Sequence, residues 1–150
     1  MELRAFESYE DLQKVHSDDI SNFPILWLFG HHSEEELKKE LSTIGATSLK
    51  ECCSIMGGGI IHKTKKQALL DMFKQHDEER KLFMNSSIQH LVSMIKREMG
   101  NHEYAYTRDC EDTLAALGKT TKDLENDATF RKAWYIAEKE CISWYESHCV

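Results

Sequence analysis

The sequence predicts an α+β fold: a small, mostly antiparallel N-terminal sheet of about four short strands, including a glycine-rich hairpin, packed with helices and followed by a helical C-terminal half. In the first half of the chain, short apolar runs are bounded by proline and glycine, and three consecutive glycines at 57–59 link two β-prone runs. In the second half, apolar residues recur at helical spacing. With 150 residues, 41% of them hydrophobic, the chain can close one core, and we expect a single domain over residues 1–150.

The strands are predicted from apolar runs and from the residues that bound them. Pro24 bars a helix from entering the next segment, and the apolar run after it ends at Gly30, as expected for a buried central strand. The glycines at 57–59 suit the tight turn of a hairpin, because glycine accepts backbone angles that other residues avoid. The four expected strands are residues 2–6, 25–29, 49–56 and 60–63.

Capping residues predict the helices of the first half. Ser8 should open a helix that runs to about residue 16. At 33–36, a serine followed three residues later by a glutamate forms a capping box, and the helix that it starts should stop near Gly45. A second box, at 64–67, should start the next helix.

Apolar stripes predict the helices of the second half. The first helix should reach about Met84, the second has a stripe over 88–99 that ends at Gly100, and a short third helix at about 108–117 ends at Gly118. The last helix has a large apolar face that must be buried. This face comprises Phe130, Ala133, Trp134, Ala137, Cys141, Trp144 and Tyr145.

The charge balance limits the classes of partner. A net charge of −7 and a pI near 5.6 repel phosphates, so we expect no direct binding of nucleic acid. The same charge favours a protein partner, with a basic nucleic-acid-binding surface as one option. No apolar run is long enough to span a membrane, the first residues lack a signal-peptide pattern, and the five cysteines are odd in number. These features predict a cytoplasmic chain with reduced thiols, without contact with a membrane.

The sequence motifs of common catalytic sites are absent or broken. Residues 57–64 resemble a phosphate-binding P-loop, but His62 replaces its second glycine. The cysteines and histidines show neither C-x-x-C nor H-E-x-x-H spacing, and no serine lies in a G-x-S-x-G elbow. We therefore predict no enzyme activity, no cofactor and no metal site. Two alternatives stay open: an enzyme whose His, Cys and Glu residues meet only after folding, and a structural or oligomerising module built on the last helix.

Two segments are candidates for binding a partner. The segment 102–109, if extended, places His102, Tyr104 and Tyr106 on one side, and tyrosines offer contact area with a polar tip. A lysine cluster at a predicted helix N-terminus suits an acidic partner or an anion. The alternatives are an ordinary connector and three solvated lysines. The candidate residues are His102, Glu103, Tyr104, Tyr106, Arg108, Asp109, Lys63, Lys65 and Lys66.

Three stretches of the sequence carry a family resemblance. They are CSIMGGGIIHKT at 53–64 and, above all, NHEYAYT at 101–107 together with EDTLAALG at 111–118. Over most of its length the chain resembles a family of small, largely uncharacterised proteins of gut bacteria and their phages, which is similar to mobile-element cargo. That class of cargo includes small inhibitors of CRISPR nucleases. The resemblance implies a small acidic binding protein that acts against host defence by protein–protein interaction, and it supplies no catalytic residue.

Overall fold

The computed structural model describes residues 1–30 and 32–149. In this part of the chain the protein is mostly helical and has one small antiparallel sheet, so the fold is α+β. The helices are α1 (Tyr9–Asn22), α2 (Glu34–Ser42), α3 (Lys66–Ser86), α4 (Ile88–Asn101), α5 (Tyr104–Thr107), α6 (Glu111–Ala116), α7 (Thr121–Asn126) and α8 (Ala128–His148). The strands are β1 (Leu26–Trp27), β2 (Cys52–Ser54) and β3 (Gly59–His62). None of the helices so described has the length and apolar character needed to cross a membrane.

The chain divides into two compact units. The sheet unit comprises Gln13–Glu78 together with Met1, and the helical unit comprises Glu2–Leu12 and Glu79–Val150. Each unit has a cluster of buried apolar residues of its own. The single domain over 1–150 stays a prediction.

The sheet unit has three antiparallel strands in the order β1-β3-β2. The prediction that 25–29 forms a central strand was wrong, because only Leu26 and Trp27 pair with β3 and they lie at the edge of the sheet. The side chain of Trp27 remains 43% exposed. Residues 49–51 form a 3-10 turn and leave a strand of three residues where eight were expected.

The predicted first strand at 2–6 is not formed, so the described sheet has three strands and not four, and it does not lie mainly at the N-terminus. The backbone N–H of Arg4 donates to Oε1 of Glu79 at 3.0 Å and not to a neighbouring strand. The guanidinium of Arg4 also donates to both carboxylate oxygens of Glu79, at 2.9 and 3.0 Å. Glu79 is fully buried, so this contact with a residue 75 positions away fixes the N-terminal segment.

Several locally encoded features of the sheet unit are confirmed. Ser33 and Glu36 form both hydrogen bonds of the predicted capping box at the start of α2. Gly57 and Gly58, each at φ 87°, make the turn of the hairpin between β2 and β3. Gly45 takes a left-handed conformation just after α2.

Two predicted helix limits in the first half need correction. The helix that follows Ser8 continues to Asn22, beyond the predicted end near residue 16. The capping box predicted at 64–67 is not the start of the next helical segment. His62 and not Thr64 is the capping residue, because Nδ1 of His62 accepts the backbone N–H of Thr64 at 3.2 Å. A 3-10 turn over Lys63–Lys65 then leads into α3.

The helical unit is built around α4 and α8, which pack against each other, while α5, α6 and α7 contact one or both of them. The predicted apolar faces form its core: Met94, Ile95 and Met99 of α4 are fully buried. Gly100 does not end α4, which runs one residue further and is capped at His102. The core residues of α8 are Phe130, Ala133, Trp134 and Ala137.

Candidate functional site

The segment 101–109 contains the last residue of α4, a turn and the four residues of α5, so the extended conformation expected from the sequence was wrong. Two left-handed residues, Glu103 (φ 54°) and Arg108 (φ 58°), flank the single turn of α5. The backbone N–H of Arg108 donates to the carbonyl of Tyr104 at 2.8 Å. The alternation of side chains along a strand therefore does not apply, and Tyr104 is buried whereas Tyr106 is 74% exposed.

Tyr104 holds α5 against α8. Its ring meets that of Trp134 edge to face at a centroid distance of 5.5 Å. Its hydroxyl donates to Oε2 of Glu138 at 2.9 Å, and Nε1 of Trp134 donates to the same oxygen at 3.2 Å. Burial, and then the hydrogen bond with Glu138, raise the pKa of Tyr104 to about 12. Tyr104 is thus an internal anchor, and its ring offers little surface to a partner.

Three other residues predicted for partner binding make local contacts around α5. Nε2 of His102 lies 3.5 Å from Oε2 of Glu98, which is buried and also accepts the hydroxyl of Tyr9 on its other oxygen. Nε of Arg108 donates to a backbone carbonyl of α5 at 3.1 Å. Oδ1 of Asp109 accepts a backbone N–H at the start of α6 at 3.0 Å. Both Arg108 and Asp109 remain exposed.

A groove lies beside α5, where the C-terminal end of α4 packs against the second half of α8. It contains two adjoining cavities of about 920 and about 420 Å³, which share Gly100, Cys141 and Trp144 as lining residues. We name the surface of both cavities the α4–α8 groove. The smaller cavity is also lined by Glu103 and Tyr106. Two residues that the sequence singled out for partner binding are therefore part of the groove.

The walls of the α4–α8 groove are mostly apolar. Trp144 is 59% exposed, and one face of its indole stacks on His148 at a centroid distance of 4.4 Å. Ile136 lies on the same face of α8, two helical turns before Trp144, and lines the larger cavity. The sequence placed Trp144 on a face to be buried, but the fully buried residues of α8 end at Ala137. Beyond that point the apolar face of α8 becomes a wall of the groove.

Positive side chains border the larger cavity. Nζ of Lys96 pairs with Oε2 of Glu140 at 3.1 Å, so these two charges offset each other. Arg97 and Lys139 are exposed on the same lining, and among residues 1–30 and 32–149 no carboxylate pairs with either. The larger cavity is therefore locally positive on a chain whose net charge is −7, whereas Glu103 is the charged residue that lines the smaller cavity.

The sequence did not distinguish the groove residues of α4 and α8 from core residues, and it assigned Cys141, Trp144 and Tyr145 to a face to be buried. Their only signal is helical spacing, because residues 136, 140, 144 and 147 recur at intervals of three and four and share one face. Apolar residues that face a buried core recur at the same spacing. The sequence therefore does not show where along α8 the buried face ends and the exposed face begins, because that depends on how α8 packs.

The three predicted lysines belong to the sheet unit. Lys63 and Lys65 lie in the 3-10 turn and Lys66 begins α3, and all three are exposed. Their role in binding a partner stays a prediction.

A histidine pair in the sheet unit is a candidate for a catalytic cluster. The rings of His16 and His76 stack at 3.8 Å, and Nε2 of His76 lies 2.8 Å from Oδ2 of Asp19. Both histidines are buried, and neither lines any of the cavities that form the α4–α8 groove. Across the described residues, no group of three or more His, Cys, Asp or Glu side chains could hold a metal ion. In this cluster His76 bonds to Asp19 and stacks on His16, an arrangement that also satisfies a buried polar side chain without any catalytic role.

Two of the five thiols, Cys52 and Cys141, are poorly suited to nucleophilic chemistry. Burial raises the pKa of Cys141, at the junction of the two cavities, and burial also raises the pKa of Cys52 in β2. A raised pKa lowers the thiolate fraction, and the thiolate is the reactive form.

These features define a mostly helical α+β protein with an apolar, locally positive surface groove. The chain belongs to DUF7659, a family of unknown function, whose model matches residues 8–140. That match contains α1 to α7 and most of α8, so the family covers both units. Searches of curated proteins and of solved structures found no match.

Proposed function

We propose that this chain is a small acidic binding protein that acts in the cytoplasm by occupying the surface of a partner protein, with the α4–α8 groove as its binding surface. One observation carries the proposal: Trp144 is 59% exposed in a mostly apolar groove. Large apolar side chains that line an open groove are typical of interaction sites, because burial in a complex removes their apolar surface from water.

The residue types of the groove support tight binding. Tryptophan and tyrosine are enriched among residues whose truncation weakens complexes most, by about 2 kcal/mol or more. Trp144 of α8 and Tyr106 of α5 line the same cavity. Tyr104 anchors α5 to α8 through its hydrogen bond to Glu138. A groove that is already formed loses less conformational entropy on binding than a mobile loop does.

The raised pKa of Cys141 supports binding over catalysis. The thiol is the one nucleophilic side chain that lines both cavities, and burial keeps it protonated. The alternative of an enzyme with a site assembled by folding has its best candidate in His16, His76 and Asp19, which line neither cavity of the groove.

A finer proposal concerns the biological setting. The resemblance of residues 53–64, 101–107 and 111–118 to proteins of gut bacteria and their phages supports a mobile-element protein that inhibits a host defence enzyme, for example a CRISPR nuclease. The net charge of −7 supports a partner that normally holds nucleic acid on a basic surface. With such a partner, the acidic surface of this chain outside the α4–α8 groove would face the basic surface of the partner.

The test uses a photo-cross-linking amino acid at two matched positions of α8. Trp144 and Tyr135 are both 59% exposed, and they lie nine residues apart, which is roughly 180° around a helix that turns about 100° per residue. Tyr135 lines neither cavity of the groove. We expect the probe at 144, in the natural host cells, to form an adduct with a specific protein that the probe at 135 does not form.

The adducts separate the proposal from its alternatives. Identical adducts from both positions, or none from position 144, would contradict a binding role for the groove. An adduct between two copies of this chain would replace the proposal with the oligomerising module, which light scattering would then detect as a concentration-dependent dimer.

A further inference from the structure

We infer that the α4–α8 groove takes an acidic amphipathic segment of the partner protein, whose carboxylates meet Arg97 and Lys139 while its apolar side chains pack on Trp144. This inference rests on the proposed function and specifies the chemistry of the partner. It is carried by the contrast between the charge of the groove and the charge of the chain.

The charges that line the larger cavity favour an acidic occupant. The ion pair between Lys96 and Glu140 is satisfied within the chain, whereas Arg97 and Lys139 have no carboxylate partner in the described ranges. An incoming carboxylate gains two attractive contacts there, and an incoming lysine or arginine meets two like charges. The planar guanidinium of Arg97 can also hold a carboxylate with two parallel hydrogen bonds.

The apolar walls of the groove favour an occupant that also carries apolar side chains. Ile136 and Trp144 line the larger cavity, and Tyr106 and Tyr145 extend the apolar surface into the smaller one. A purely acidic tail would leave this surface exposed to water. A segment with apolar residues on one face can pack on the apolar walls, and acids along the border of that face can reach the positive side chains. Amphipathic helices bind in this way in grooves of other proteins.

The charge of the rest of the chain explains why such a site is selective. With 26 acidic against 19 basic residues, the chain as a whole repels acidic segments. An acidic partner segment is therefore favoured where Arg97 and Lys139 reverse the local sign. A basic amphipathic segment has the opposite preference and would bind elsewhere on the surface.

The experiment selects binders from a displayed library of random peptides of about 16 residues, roughly four helical turns. Selection on the full chain is followed by removal of peptides that also bind the Trp144→Ala variant. Because Trp144 is largely exposed, this variant should keep the fold, which circular dichroism checks. We expect a consensus with apolar residues spaced by three and four and with a clear excess of Asp and Glu.

The contribution of the charges is measured with the selected peptide. The double variant Arg97→Gln, Lys139→Gln should weaken binding roughly 5- to 25-fold at low salt, and it should reduce the salt dependence of the dissociation constant. The control is Lys74→Gln, Lys122→Gln, which makes the same charge change at exposed positions outside the groove lining. We expect this control to change affinity by less than about twofold.

The outcomes distinguish this inference from the proposed function. A neutral or basic consensus, no consensus that depends on Trp144, or equal losses in the two double variants overturns the acidic partner. In each of these cases a specific adduct from position 144 still supports a protein-binding groove. Loss of that adduct removes the proposed function itself.

Discussion

Tyr104 should ionise at a higher pH than an ordinary tyrosine, and its ionisation should loosen α5 from α8. The hydroxyl of Tyr104 donates to Oε2 of Glu138 at 2.9 Å, and its ring packs edge to face on Trp134. Removing the hydroxyl proton would place a phenolate beside a carboxylate in a buried site. The neutral form is therefore strongly preferred in the folded protein.

The magnitude follows from the pKa. Burial and the contact with Glu138 raise the pKa of Tyr104 from 10.0 to about 12. A shift of this size corresponds to a free-energy difference on the order of 2 to 3 kcal/mol between the two protonation states. Because the folded pKa is the higher one, this stabilisation is fully present below the unfolded pKa and is lost as the pH rises from about 10 to about 12. Tyr104→Phe keeps the ring and removes one hydrogen bond, which should cost about 1 kcal/mol near neutral pH.

Two measurements on the wild type and on Tyr104→Phe test this reasoning. The difference in tyrosinate absorbance between the wild type and the variant reports Tyr104, one of the five tyrosines, and this difference should rise as the pH approaches 12 and not near pH 10. Urea denaturation should show the wild type to be more stable at pH 7, with a difference that shrinks as the pH approaches 12. An absorbance difference that already rises near pH 10, or a stability difference independent of pH, would refute the reasoning.

Two further predictions concern a thiol and a glycine. Cys141 should react with iodoacetamide more slowly than the exposed Cys149, because burial raises the pKa of the Cys141 thiol and restricts access to it. Peptide mapping by mass spectrometry measures both rates. Equal rates would contradict the burial of Cys141. Gly59→Ala should lower the free energy of unfolding by about 1 to 3 kcal/mol, because a Cβ there would lie 2.9 Å from Cγ2 of Ile25 and 3.0 Å from Ile55. Urea denaturation measures the change. An unchanged midpoint would show that these two side chains move aside freely.

The sequence predicted only part of the candidate site. The segment 102–109 was singled out for its tyrosines, and Tyr106 and Glu103 do line the α4–α8 groove. Arg97 and Lys139 were missed, because an exposed cation on a helix has the same sequence pattern whether it borders a groove or faces open solvent. The difference between these two situations depends on how α4 and α8 pack.

By itself, the sequence determined the features whose partners lie within a few residues. The capping box of Ser33 and Glu36 and the hairpin turn at 57–59 formed as predicted, because side-chain caps and glycine backbone angles act locally. The amphipathic helices of the second half also formed, because their apolar spacing specifies a helix with one buried face.

Tertiary structure decided the features whose partners are distant in the chain. Arg4 bonds to Glu79, 75 positions away, and so residues 2–6 form no strand. Burial of Tyr104 against α8 coincides with a helical turn where an extended segment was expected, and the end of the buried part of α8 leaves Trp144 in an open groove. The physical reason is that local preferences differ by about 1 kcal/mol or less per residue. Leaving a buried charge such as Glu79 without its partner costs about 3 to 5 kcal/mol, and burial of a large apolar side chain contributes about 1.5 to 3 kcal/mol.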